Sequence, residues 1–223
     1  IISLYGSHRK PTADDLLGLD MVIFDIQDVG VRFYTYISTM SYVMESCAEQ
    51  GIPFMVLDRP NPNGNLIDGP VMQGCCNSFI GLHPGVPVAH GMTVGEYAQM
   101  VNEEGWLDPG LKVDLTVIGM DNWTHDTPYE LPIKPSPNLP NMRSIYLYPT
   151  LCFFEATVMS VGRGTNKQFQ LIGHPDYPGD YTFTPESMSG AQNPKLKGQT
   201  CKGIDYSYWD VEMLRQDTLL HLD

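Results

Sequence analysis

An α/β fold built on a parallel sheet is what this sequence predicts, on three observations. Two short apolar runs, residues 21–24 and 54–57, each end on an aspartate followed by a dense polar cluster. Between them Tyr36, Met40, Val43 and Cys47 recur at helical spacing, and Gly51 offers a C-cap. Strands joined by such a helix run parallel and cross right-handedly. That topology sets Asp25 and Asp58 at the carboxyl ends of neighbouring strands, where open α/β sheets bind ligands.

The elements follow in order. Residues 1–5 read as a strand already under way, and the first residue is Ile rather than Met, so the chain is expected to be a piece of a longer one. Pro11 and Thr12 stand before an acidic first turn and predict a short helix from Ala13. Residues 21–24 then form a buried strand, and residues 54–57 the next. Residues 60–92 are rich in Pro, Gly and Asn, and a loop that long is usually functional or disordered. Thr93 and Glu96 make a capping box for a helix that buries Val94, Tyr97, Ala98 and Val101. Residues 115–118 are a further strand. Six prolines between Pro128 and Pro149 predict an extended crossing rather than a helix, because proline fixes φ and removes a donor. The domain boundary is placed there, giving domains 1–135 and 136–223. The tail mixes turns with strand-like runs such as residues 151–154.

Composition narrows the function. The formal charge of −13 leaves no concentrated basic face, which argues against nucleic acid. No run approaches the roughly 20 apolar residues of a membrane span. Five cysteines leave at least one unpaired, and their spacing matches no zinc ribbon. Cys75-Cys76 reads as a loop accident more readily than as a redox pair. No His/Asp/Glu spacing resembles a metal site, and no cofactor is expected.

Several constellations carry chemistry. Asp25, Gln27 and Asp28 sit at a strand end with Arg32, Tyr34 and Tyr36 close behind. Carboxylates and amides hold sugar hydroxyls, an arginine pairs with a carboxylate, and aromatic rings stack on sugars. The alternative is a cap-and-salt-bridge cluster bracing the next helix. Asp58-Arg59-Pro60-Asn61-Pro62 is a strand end turned sharply by prolines, which holds side chains at low entropic cost. It reads equally as an ion pair pinning a loop. His90 precedes the capped helix and could act as acid, base or hydrogen-bond donor, although a lone histidine is more often structural. Gly162-Arg163-Gly164 could cradle an anion on backbone amides, but it lacks Walker and dinucleotide spacing. Glu155 is a candidate carboxylate at another strand end.

Taken in order, Phe24-Asp25-Ile26-Gln27-Asp28-Val29-Gly30, Leu57-Asp58-Arg59-Pro60-Asn61-Pro62, His90-Gly91-Met92-Thr93, Ser136-Pro137-Asn138 and Gly162-Arg163-Gly164-Thr165 resemble the exo-β-N-acetylmuramidases of peptidoglycan recycling. These NamZ-like glycoside hydrolases were long catalogued as a domain of unknown function. Ile172-Gly173-His174-Pro175 looks most like their Bacteroidetes branch. The resemblance implies a Rossmann-like, mostly parallel sheet with a second, smaller α/β domain, here incomplete at both termini and lacking its first strands. It implies a periplasmic or secreted enzyme that releases N-acetylmuramic acid from the non-reducing ends of muramyl saccharides. It also implies a cleft lined by Asp28, Asp58 and His90 as catalytic groups. Asp25, Gln27, Arg32, Tyr34, Tyr36, Arg59, Asn61, Ser136, Asn138, Glu155 and Arg163 would hold the substrate, with Arg32 or Arg163 on the lactyl carboxylate.

The chain departs from the family pattern in places. The family's candidate catalytic glutamate lies in a Pro-Glu-His-Gly segment before the first strand, and no such string occurs here. Ala156, Val158 and Gln168 stand where Gly, Asn and Pro are expected. The resemblance therefore implies a fragment with weak turnover or none, with an unpaired sheet edge prone to aggregation. Two further classes stay open. One is a non-catalytic cell-wall glycan-binding module, and the other an α/β enzyme acting on a small phosphorylated ligand through the Gly162–Gly164 loop.

Overall fold

Three parallel strands carry the first of two units. β1 (Val22–Phe24), β2 (Phe54–Leu57) and β5 (Leu115–Ile118) lie in the order β1-β2-β5, with Phe24 beside Val56 and Val56 beside Val117. The computed structural model describes residues 1–72, 78–217 and 219–220, and the chain divides into units Ile1–Thr127 and Pro128–Asp223. Cys75 and Cys76 lie outside the described residues.

The short helix α1 (Ala13–Leu16) begins at the expected Thr12, whose hydroxyl caps Asp15 while the Asp15 carboxylate reaches back. α2 (Tyr36–Gln50) crosses from β1 to β2 and ends on Gly51 at φ +66°, a left-handed cap that suits glycine. α3 (Val94–Glu103) carries the expected Thr93/Glu96 box. Both helices pack on the sheet face formed by Phe24, Phe54 and Val56, burying Ile37, Met40, Met44, Cys47, Tyr97, Ala98 and Val101. Full burial of one such side chain contributes about 1.5–3 kcal/mol.

Two expectations need correction here. Residues 1–5 form no strand, since no neighbouring strand supplies ladder partners among the described residues; Ile1, Ile2 and Tyr5 are exposed. β1 is an edge strand whose alternate face is open, so Ile23 is exposed while Phe24 is buried. Among the described residues only the period-2 face that meets α2 and α3 is covered. Tyr36 begins α2 and is also exposed, unlike Met40 and Val43 on the same stripe. Within the long loop, β3 (Ile67–Asp68) and β4 (Ala89–His90) pair antiparallel, which ties its two arms together.

In the second unit, residues 142–151 form a helix, α4 (Met142–Leu151), where an extended crossing was expected. Asn141 caps it and pairs reciprocally with Ser144, and Ile145, Leu147, Tyr148 and Leu151 bury one face. Pro149 falls in the last turn, where its ring ends the ladder rather than breaking its middle. The run 151–154 is the end of α4 and a 3-10 turn (Cys152–Ala156), not a strand, so Glu155 sits on that turn. An antiparallel sheet follows in the order β6-β8-β7, from β6 (Leu171–His174), β7 (Tyr181–Phe183) and β8 (Cys201–Asp205). Gly203 lets β8 close on β6, since a Cβ there would stand 1.8 Å from the Ile172 carbonyl. α5 (Val211–Gln216), capped by Asp210, lies next to α4, and Arg143 Nε donates to the Trp209 carbonyl at 2.8 Å.

Candidate active site

At the carboxyl end of the parallel sheet three loops are laced into one piece. β1 leads to Gln27 and Asp28, β2 to Asp58 and Asn61, and β4 contains His90. The Gln27 side-chain amide donates to the Pro60 and Asp28 carbonyls, each at 2.8 Å. Asn61 Nδ2 donates to the Met92 carbonyl at 2.9 Å, and Asn63 Nδ2 to the Val29 carbonyl at 2.8 Å. His90 N–H donates to the Gly30 carbonyl at 3.1 Å. Gly30 is at φ +75°, and a Cβ there would come within 2.4 Å of the Asn61 amide, so any side chain would be strained and would have to displace Asn61.

This lacing encloses Asp28, Arg32 and His90. His90 Nδ1 accepts the Met92 N–H at 3.3 Å, which leaves the ring proton on Nε2, 3.7 Å from Asp28 Oδ2. Asp28 Oδ2 also accepts the Gly30 N–H at 2.7 Å. Burial pushes the Asp28 carboxyl up to about 7, against the opposing pull of the Gly30 and Val29 amides. Burial also presses His90 down to about 3, aided by the Arg32 charge. Between about pH 3 and pH 7 the pair is thus a protonated acid beside a neutral imidazole. Arg32 Nη2 donates to the Pro70 carbonyl at 2.9 Å. Among the described residues Asp28 Oδ1, His90 Nε2 and Arg32 Nε and Nη1 are buried with no hydrogen-bond partner. Buried polar groups normally find partners, so a group of four without them marks a place where a polar ligand can supply them.

Tyr34 stands edge-on to Tyr36 with ring centroids 5.1 Å apart, and burial, with the nearby Tyr36 and Asp28, raises its hydroxyl well above the usual phenol range. The other candidates of this unit are tied elsewhere. Asp25 pairs with Arg59 at 2.6 Å on the surface. Asp58 accepts three hydrogen bonds: the Gly95 N–H at 2.8 Å, the Arg59 N–H at 2.9 Å and the Thr93 hydroxyl at 2.8 Å. A carboxylate at the first turn of α3 also opposes the positive end of the helix dipole. Asp58 therefore anchors α3 to β2.

The second unit holds the remaining four. Asn138 Nδ2 donates to the Gly190 carbonyl at 2.9 Å, and the Ser136 hydroxyl accepts the Asn138 N–H at 3.1 Å. Asn138 Oδ1 is buried without a partner among the described residues. Arg163 is held by both Glu155 oxygens, at 2.5 and 3.0 Å, and lies 4.8 Å from the Phe169 ring centroid. The Gly162 and Gly164 conformations, both at positive φ, answer close packing against Lys167 and Glu186 carbonyls. Arg163 is thus already paired, and the loop's glycines serve the fold.

Sequence reasoning passed over Asn63 and His125. Asn63 follows Asn61 by two residues, an Asx-turn spacing that could have drawn notice: its N–H donates to Asn61 Oδ1 at 2.9 Å. His125 joins Glu96 at 2.9 Å and the Gly64 carbonyl at 3.3 Å, which no local pattern announces.

The sequence pattern of the N-terminal part of exo-β-N-acetylmuramidase NamZ matches residues 1–143, and that of its C-terminal part matches residues 146–219. The chain belongs to the NamZ family. It is 50% identical over 180 residues to the peptidoglycan β-N-acetylmuramidase NamZ of Bacillus subtilis, covering 78% of this chain and 42% of that protein. A solved DUF1343 family protein from Bacteroides fragilis superposes with a TM-score of 0.90 at 47% identity, over 95% of this chain and 60% of that one. A second from the same organism gives 0.80 at 32%, over 91% and 56%. The chain thus spans roughly half the length of these NamZ relatives, as the 42% and 60% coverages express. Its α/β architecture with a parallel sheet is theirs.

Proposed function

We propose that this chain carries the sugar-binding and proton-donating part of an exo-acting glycoside hydrolase. Its substrate would be peptidoglycan fragments, from whose non-reducing ends it releases N-acetylmuramic acid in the periplasm or outside the cell, as a step of cell-wall recycling. The observation that carries this reading is the buried, partnerless group of Asp28, His90 and Arg32 in a chain of the NamZ family. Glycosidic cleavage calls for an acid that still holds its proton near neutral pH. Asp28 suits that role, because burial keeps its proton up to about pH 7. His90, locked as the Nε2–H tautomer, can donate to Asp28 but is a poor base. Arg32 keeps donors on Nε and Nη1 without a partner among the described residues, which suits the lactyl carboxylate that distinguishes muramic acid from N-acetylglucosamine. Arg163 has spent its fork on Glu155. Peptidoglycan saccharide is therefore read by one buried cation and one buried acid on the same laced loops.

The test is release of chromophore from a chromogenic β-N-acetylmuramide, beside direct binding of muramyl disaccharide. Hydrolysis by this chain that falls at least a hundredfold in Asp28→Asn, with binding retained, supports the reading. Binding with no hydrolysis would assign a glycan-binding module instead, and absence of both would remove the reading.

A further inference from the structure

A cavity of about 430 Å³ lies within the second unit, between α4, α5 and the strap at residues 128–130. It falls in the size range of small-ligand sites, roughly 300–1,000 Å³. α4 contributes Arg143 and Tyr146, α5 contributes Glu212 and Arg215, and the strap contributes Tyr129 and Glu130. On each helix the lining residues are spaced i, i+1, i+4 (Met142, Arg143 and Tyr146; Val211, Glu212 and Arg215), so one face of each helix turns to the same space.

The charges of this cavity are unevenly committed. Arg215 is clamped by both oxygens of Glu212, at 2.9 and 2.5 Å. Arg143 is fixed differently, by Nε on the Trp209 carbonyl at 2.8 Å. Among the described residues no carboxylate pairs with it. In a chain with 26 acidic and 13 basic residues, an arginine held in place without an acid is available for a carboxylate from outside. Tyr146 is half-buried among Arg215, Glu212 and Glu130, and burial raises its hydroxyl above the usual phenol range. Two tyrosines supply apolar faces, and the exposed Glu130 supplies acceptor oxygens.

We infer that this cavity is a second, non-catalytic site for an acidic amino sugar of a glycan strand. Arg143 takes the carboxylate, Tyr129 and Tyr146 take the apolar ring face, and Glu130 accepts from hydroxyls. A neutral amino sugar lacks the group that Arg143 reads. A peptide carboxylate would satisfy Arg143 but would leave Glu130 without hydroxyls. The choice of sugar over peptide rests on the function proposed above, whereas the existence of the site does not.

The experiment is a titration of the intact chain followed by amide chemical shifts, with N-acetylmuramic acid, N-acetylglucosamine and a D-alanyl-D-alanine dipeptide as separate probes. N-acetylmuramic acid is expected to move the amides of Arg143, Tyr146, Glu212 and Arg215. Arg143→Gln and Tyr129→Ala are each expected to weaken that response at least tenfold, while chromogenic muramide hydrolysis stays at the level of the unsubstituted chain. Tyr129→Ala leaves both helices intact, so it guards against a folding defect from Arg143→Gln. Unchanged binding in both variants overturns the inference, as does a response to the dipeptide and not to the sugar. A chain that hydrolyses nothing yet shows the expected shifts loses the catalytic reading and keeps this site.

Discussion

His90 Nε2 faces Asp28 Oδ2 at 3.7 Å, with both side chains at most 5% exposed. The two titrate in opposite senses. Asp28 is raised from 3.8 to about 7, so as pH climbs through that window the unfolded chain sheds a proton that the fold keeps, and stability falls. His90 is lowered from 6.5 to about 3, so across that window the unfolded chain holds a proton that the fold lacks, and stability rises with pH. Where the windows overlap, the slopes cancel.

Removing either partner should therefore expose the other. Between about pH 4 and pH 6.5, urea denaturation of Asp28→Asn should show stability rising with pH, and that of His90→Gln should show it falling. Each slope approaches about 1.4 kcal/mol per pH unit at full effect. Two variants with parallel pH profiles would refute the opposed titrations.

Arg32 is expected to set the preference for muramic acid. Arg32→Gln should cut the kcat/KM ratio of muramide over glucosaminide by about 10- to 100-fold, the worth of a charge-assisted hydrogen bond at roughly 1.5–3 kcal/mol. Arg163→Gln should leave that ratio unchanged and lower Tm, because it strands Glu155. The reverse pattern would move the selectivity to Arg163.

Asp58 separates anchoring from chemistry. Asp58→Ala removes an acceptor from Gly95 N–H and Thr93 hydroxyl and should destabilise by about 2–4 kcal/mol. Asp58→Asn keeps an acceptor for the two amides and should recover most of that stability. If Asp58→Asn folds normally but has lost all hydrolysis, Asp58 acts on substrate as well as on α3.

Gly30→Ala tests the lacing of the loops. A methyl group at φ +75° and 2.4 Å from the Asn61 amide has to displace Asn61 from the Met92 carbonyl. A loss of roughly 2 kcal/mol or more in denaturant titration is expected, with weaker muramyl-disaccharide binding. Gly51→Ala, at φ +66° with nothing within 4 Å of the added carbon, is the control and should cost only about 1 kcal/mol.

Local sequence determined much of this protein. The Thr12 and Thr93 caps, the Gly51 stop, the aspartates that close two strand runs and the buried stripe of Met40, Val43 and Cys47 are written in residues a few positions apart. The motif order sufficed to place the chain in the NamZ family. Tertiary structure decided what isolated spacing cannot carry. α4 forms despite its proline because Asn141 caps it and four apolar residues bury a face. Ile23 stays exposed because, among the described residues, one side of β1 alone meets helices. Above all, the fates of the polar residues were fixed by distance in space: Asp58 met Gly95, Arg163 met Glu155, and Asp28 was buried beside His90. Burial and partner count set the protonation and availability of each group, and neither is a property of a residue's immediate neighbours along the chain.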